Sequence, residues 1–110
     1  MYEITRGEKR INGELVETYR RSVMLPSCLM EVEAGTTGFR GGGRHAGGRC
    51  YLRFSNLNNA DFYAQVHENA SGRPVSVELC FSGDDGIAAI LRALDFVGRV
   101  LQDQAAEVED

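Results

Sequence analysis

The stretch Pro74-Val-Ser-Val-Glu-Leu-Cys-Phe81-Ser-Gly-Asp-Asp85-Gly-Ile-Ala-Ala-Ile90-Leu-Arg-Ala-Leu-Asp95-Phe-Val-Gly-Arg-Val-Leu101 changes its period halfway. Up to Phe81, apolar residues occupy every second position (Val75, Val77, Leu79, Phe81), the signature of a strand with one apolar face. After Ser82-Gly83-Asp84 the spacing becomes that of a helix: Ile87, Ile90, Leu91, Leu94, Val97 and Leu101 form one stripe, predicted to run to about Gln104. Asp84 and Asp85 suit the positive end of the helix dipole. Arg92, Asp95, Arg99 and Asp103 recur at intervals of three and four, a solvated ladder of charge pairs. Residues 105–110, ending Glu107-Val-Glu-Asp110, read as a frayed tail.

Upstream, the period stays at two. Asn12-Gly13 is the strongest hairpin signal, because a two-residue type I′ turn requires positive φ at both positions. It predicts strands over 3–11 and 14–24, although Leu15, Tyr19 and Met24 leave a short helix open for the second. Pro26 closes that segment. Met30, Val32 and Ala34 alternate with Glu31 and Glu33; Cys50, Leu52 and Phe54 alternate with Arg49, Tyr51, Arg53 and Ser55. Phe62, Ala64 and Val66 alternate with Tyr63, Gln65 and His67 ahead of a turn at 69–72. The expected architecture is α+β: an antiparallel sheet of about five to six strands with one C-terminal amphipathic helix over its apolar face. The other face would carry Arg49, Tyr51, Arg53, Tyr63, Gln65 and His67 with Glu31, Glu33 and Glu78.

The chain has 110 residues, 43% of them apolar, which suits a single domain over 1–110. Two prolines are too few for a linker, and no apolar run reaches the length of a membrane span. No secretory signal is visible at the N-terminus. Three cysteines at 28, 50 and 80 match no zinc pattern and are expected as reduced, mostly buried thiols, which points to a cytoplasmic protein with neither metal nor cofactor. Net charge is −4, but residues 34–60 carry four basic groups and no acidic one, against eight acidic and two basic over 78–110. A chain of this balance lacks the broad basic face that long nucleic acid requires. Eleven of its twelve basic residues are arginine, which favours forked recognition of phosphate or carboxylate.

Chemistry concentrates in the glycine-rich loop predicted over 35–48, where seven of fourteen residues are glycine. Successive backbone N–H groups there can form an anion nest, with Arg40, Arg44 and Arg49 adding charge-assisted bonds to a phosphate. The loop lacks the Gly-Lys-Ser/Thr ending of a Walker loop, and a strand rather than a helix follows it, unlike a Rossmann turn. Phe39, Tyr51 and Tyr63 are positioned for base stacking, and His45 is a candidate phosphate donor or base. No paired carboxylates or nucleophile–base spacing stands out, so binding is favoured over turnover and no catalytic residue is assigned. The alternatives are a phosphodiesterase or lyase using His45, and a small RNA-binding or structural module.

The run Leu29-Met-Glu-Val-Glu-Ala-Gly35-Thr-Thr-Gly-Phe-Arg40-Gly-Gly, followed by Gly47-Gly-Arg49-Cys-Tyr51, resembles a set of small phage and prophage proteins, the first type of Thoeris anti-defence protein. About 25 residues carry the resemblance strongly; Arg21-Ser-Val-Met-Leu-Pro26 and Ala93-Leu-Asp-Phe-Val-Gly-Arg99 are compatible with it. It implies a non-enzymatic sponge in the host cytoplasm, a homo-oligomer (dimer or higher, such as a hexamer) that sequesters a cyclic ADP-ribose isomer and in some members cyclic di- or trinucleotides. By this resemblance Arg49 and Arg20 or Arg21 would hold phosphate, with Arg92 or Arg99 contributed by a neighbouring subunit. Where the family commonly has an acidic residue between its glycine pairs, this chain has Gly43-Arg44. The expected site therefore comprises Arg20, Arg21, Phe39, Arg40, Arg44, His45, Arg49, Tyr63, Arg92 and Arg99, set at a subunit interface because so small a domain has little room for a deep pocket of its own.

Overall fold

Asn12 and Gly13 take φ of 50° and 83°, so the two-residue turn folds as its sequence requires. It joins β1 (Thr5–Ile11) to β2 (Glu14–Leu25), with Ile11 opposite Glu14. The computed structural model describes residues 4–41, 47–56 and 62–109, with side chains described as far as 106. β2 is a strand throughout, so the helical alternative for 14–24 falls. β3 (Cys28–Thr36) and β4 (Cys50–Asn56) complete an antiparallel meander in the order β1-β2-β3-β4.

The alternation segregates the two faces of this sheet. Val23, Cys28, Met30, Val32 and Ala34 are buried on one side and make the core with the helix α1 (Gly83–Glu109). α1 travels in the same direction as β3. Near its start, the Asp85 carboxylate accepts hydrogen bonds from the Ser27 backbone N–H (2.8 Å) and hydroxyl (2.7 Å). Near its end, the Gln104 amide accepts from Thr36 N–H and donates to the Glu17 carbonyl, both at 2.9 Å. Nineteen helical residues at about 1.5 Å match eight strand steps at about 3.3 Å, so one helix spans the whole of β3. The helix continues to Glu109, five residues beyond the end expected near Gln104.

The helix face against the sheet is only half of the predicted stripe: Ile90, Val97 and Leu101 meet the sheet and the other three do not. Ala89, Ala93, Phe96 and Val97 are buried there, with Ile90, Val100 and Leu101 partly covered, whereas Ile87, Leu91 and Leu94 are exposed. Two alanines one turn apart let the helix lie close on β3, and branched side chains at those positions would hold it off.

β3 also runs two residues further than expected. Gly35 is a strand residue opposite Thr18, not the first residue of a loop. A Cβ there would stand 2.3 Å from the Glu17 carbonyl oxygen. Only glycine permits β2 and β3 to close at that point.

On the sheet face away from the helix, the Thr18 hydroxyl donates to Glu33 Oε2 at 2.5 Å, and Arg53 Nη2 donates to Glu33 Oε1 at 2.7 Å and Glu31 Oε1 at 3.2 Å. Thr18 is fully buried and Glu33 nearly so. Burial pushes the Glu33 carboxyl up, but the hydrogen bonds from Thr18 and Arg53 outweigh it and leave the group below its ordinary value of 4.5. A depressed folded pKa contributes stability that is present above the unfolded value and is lost as pH falls through the folded one. Glu33→Gln is expected to cost about 1–2 kcal/mol at pH 7, discounted for the part-exposed Arg53. In thermal melts the difference from the parent protein shrinks below about pH 4. A difference independent of pH would assign the loss to shape rather than charge.

β5 (Tyr63–Glu68) and β6 (Pro74–Cys80) form a separate two-stranded sheet. Its base is fixed by Phe62 and Phe81, whose rings meet edge to face at 5.3 Å and pack on the core. Beyond them every residue from 74 to 80 is exposed, so Val75, Val77 and Leu79 do not face the helix as expected. No two cysteines are joined among the described residues; Cys28 is buried, but Cys50 and Cys80 are exposed rather than buried as expected.

Candidate functional site

Where β3 and α1 end together, the chain from Thr36 to Gly41 and the returning Gly47-Gly48-Arg49 enclose a cavity of about 570 Å3 with Phe39, Cys50, Leu101, Gln102 and Ala105. Its rim is zipped by the backbone: Thr37 N–H donates to the Arg49 carbonyl (3.0 Å), Arg49 N–H to the Thr37 hydroxyl (2.8 Å), and the Thr36 hydroxyl to the Arg49 carbonyl (2.6 Å). Gly48 lies so close to Gly38 that a Cβ would come within 1.9 Å of its carbonyl oxygen. This glycine permits the close contact between the two limbs of the loop; residues 42–46 of the glycine run expected to form an anion nest lie outside the described residues. The volume falls in the range of small-molecule sites, although the cavity is open to the surface rather than deep.

Three predicted residues line that cavity. Phe39 is largely exposed, so its ring is available to a ligand. Arg40 makes an ion pair with Glu14 at 2.5 Å. Arg49 directs its guanidinium to main-chain carbonyls, Nε to Ile11 at 3.2 Å and Nη1 to Gly47 at 2.6 Å, and so braces the rim from within.

Arg21, Arg92 and Arg99 come together elsewhere. With Ser22, Val23, Met24 and Asp95 they line a second cleft of about 310 Å3 between the end of β2 and the middle of α1. Asp95 pairs with Arg99 at 3.1 Å, so the cleft presents three guanidinium groups against one carboxylate. Two elements distant in sequence thus give a local positive field to a chain of net charge −4, an arrangement suited to a compact anion.

The remaining expectations divide. Arg20 is opposite Glu33 in the β2–β3 register, on the face away from both clefts. Tyr63 belongs to the separate β5–β6 sheet with its hydroxyl on Gln65, and lines neither cavity. Gln65, His67 and Glu78 share that sheet, where His67 pairs with Glu78 at 2.9 Å, so they do not join Tyr51 and Arg53 on one face. Arg44 and His45 lie outside the described residues. Sequence reasoning missed Thr36, Cys50, Leu101, Gln102 and Ala105 in the larger cavity. Their common signal was available only in part: Cys50 begins the strand after the glycines, and Leu101 and Gln102 lie one turn before Ala105 on a segment read as the helix end.

No helix among the described residues is long and apolar enough to cross a membrane. Comparison with family models, with characterised proteins and with solved structures returns no match to this chain.

Proposed function

We propose that the protein binds and sequesters a cyclic nucleotide second messenger without cleaving it, as a phage anti-defence sponge acting as a homo-oligomer in the host cytoplasm. The ligand class is a cyclic ADP-ribose isomer, with cyclic di- or trinucleotides as further candidates, and the effect is to block Thoeris- or CBASS-type signalling. The observation that carries this reading is the pair of clefts. One joins an exposed aromatic ring to a pocket of nucleotide dimensions, and the other gathers Arg21, Arg92 and Arg99 where α1 crosses the end of β2. A base suits the first and a phosphate the second. The resemblance around Gly35–Arg40 and Gly47–Tyr51 supports the same ligand class.

Thermal shift with a set of cyclic nucleotides tests it. A ligand at a hundred times its dissociation constant stabilises the fold by about 2.7 kcal/mol, a shift of many degrees in a domain of this size. Recovery of the ligand by heat denaturation, followed by mass spectrometry, is expected to return it intact. A chemically altered product would make the protein an enzyme, and a response to oligonucleotides alone, steep in salt, would make it an RNA-binding module.

A further inference from the structure

We infer that Asp95 is the residue that sets how much negative charge the arginine cleft accepts: its carboxylate stands in for a ligand oxygen on Arg99, and a phosphate enters by taking Arg99 from it. This rests on the proposed reading of the cleft as the phosphate site, and goes beyond it in naming the residue that selects among anions.

The helix fixes the order of the charges. Arg92, Asp95 and Arg99 are spaced three and four, so at about 100° per residue all three fall within an arc of about 60°. The two arginines are the inner pair, nearer the buried Phe96, and Asp95 is the outer lip. Along the axis Arg92 and Arg99 stand about 10.5 Å apart, with Asp95 between their levels. From the other side β2 delivers Arg21, which is opposite Val32 in the register and therefore on the helix face of the sheet, as Val23 is.

Folding does not account for the carboxylate. Asp95 Oδ2 stands 3.1 Å from Arg99 Nε, but the two side chains are 64% and 76% exposed, and a pair so exposed adds little to stability. Its effect is on the cleft. Three guanidinium charges less one carboxylate leave a net of two, which matches a pyrophosphate diester with one charge on each phosphate. Without Asp95 the balance would move toward anions of higher charge. A carboxylate at the lip repels every incoming phosphate, and repels the most highly charged one most, so it gives up affinity for selectivity.

Titration calorimetry of the full chain with inorganic pyrophosphate and with inorganic tripolyphosphate, at low ionic strength, tests this. Asp95→Asn keeps the size of the side chain and removes its charge; it is expected to tighten pyrophosphate about fivefold and tripolyphosphate about twentyfold, the Coulomb effect of one charge about 6 Å away in a wet cleft. Asp95→Glu keeps the charge and is expected to stay close to the parent protein for both probes. Adding Arg99→Ala to Asp95→Asn is expected to remove at least half of the gain, because the guanidinium that was released is gone. An unchanged ratio of the two affinities in Asp95→Asn, or the same gain in Asp95→Glu, would overturn the role of Asp95 while leaving the cleft an anion site. No binding of either probe by either protein would remove the anion site and the role of Asp95 with it. Binding of both probes with the expected gains, but no response to any cyclic nucleotide, would uphold the role of Asp95 and overturn the proposed function.

Discussion

Gly35→Ala lowers the unfolding free energy by about 3 kcal/mol, the upper end of what one added methyl costs in a closed structure. The new Cβ would stand 2.3 Å from Glu17 O, 2.9 Å from Thr18 Cα and 2.8 Å from Thr18 Cγ2. Two of these atoms are backbone and cannot turn aside, so β2 and β3 must part. They would part where Gln104 bridges Thr36 N–H and the Glu17 carbonyl, so the far end of α1 loosens with them. Chemical denaturation would register a lower midpoint with an unchanged slope, and a cost below about 1 kcal/mol would mean that the strands separate freely here.

Arg49→Ala has the second large effect, on binding rather than folding. On the proposed function it weakens a cyclic nucleotide by at least about a hundredfold, or roughly 2.7 kcal/mol, while the ligand-free protein still folds cooperatively with its melting temperature lowered by only about 5 °C, the cost of the two lost carbonyl contacts. Truncation removes the guanidinium from the wall of the larger cavity and leaves the Ile11 and Gly47 carbonyls without it. Arg49→Lys keeps the charge but cannot span two carbonyls with one planar fork, so it recovers only part of the affinity. Titration calorimetry on the three proteins would read this order directly. Unchanged affinity in Arg49→Ala would move the site away from the glycine loop.

The strands were legible because alternation needs only a local count. Residues 14–24, 28–34, 49–55 and 74–81 all became strands within a residue or two of their predicted bounds. What alternation does not carry is the identity of the surface that a face meets. Val75, Val77 and Leu79 read as core residues and stand in the open, since the pattern is the same whether the cover is the chain's own helix or something else. The helix misled for a related reason. Ile87, Leu91 and Leu94 outweigh Ala89 and Ala93 on any hydrophobic scale, yet closeness to β3 selected the small residues. Glycine density concealed the last two residues of β3, because a residue demanded by close strand contact looks like one demanded by a loop.

The site was legible as residue types and not as a place. Arg21 is separated from Arg92 by 71 positions, and only the crossing of α1 over β2 makes them neighbours. Phe39, Arg40 and Arg49 fall within one short loop in sequence and line one cavity in space. Arg20 and Arg21 show the limit most sharply. They are consecutive, but strand geometry sends them to opposite faces, one toward Glu33 and one into the cleft with Arg92 and Arg99.

Because α1 is fastened at Ser27 and again at Thr36 and Glu17, its length between Asp85 and Gln104 is held to a tolerance smaller than one residue. Inserting a single amino acid there would advance the last turns by about 1.5 Å and swing them by about 100°, so both fastenings could not be met together. Leu101, Gln102 and Ala105 would swing with them and take one wall from the cavity. Descendants of this chain can therefore exchange side chains along the helix, but they inherit its span as a fixed measure.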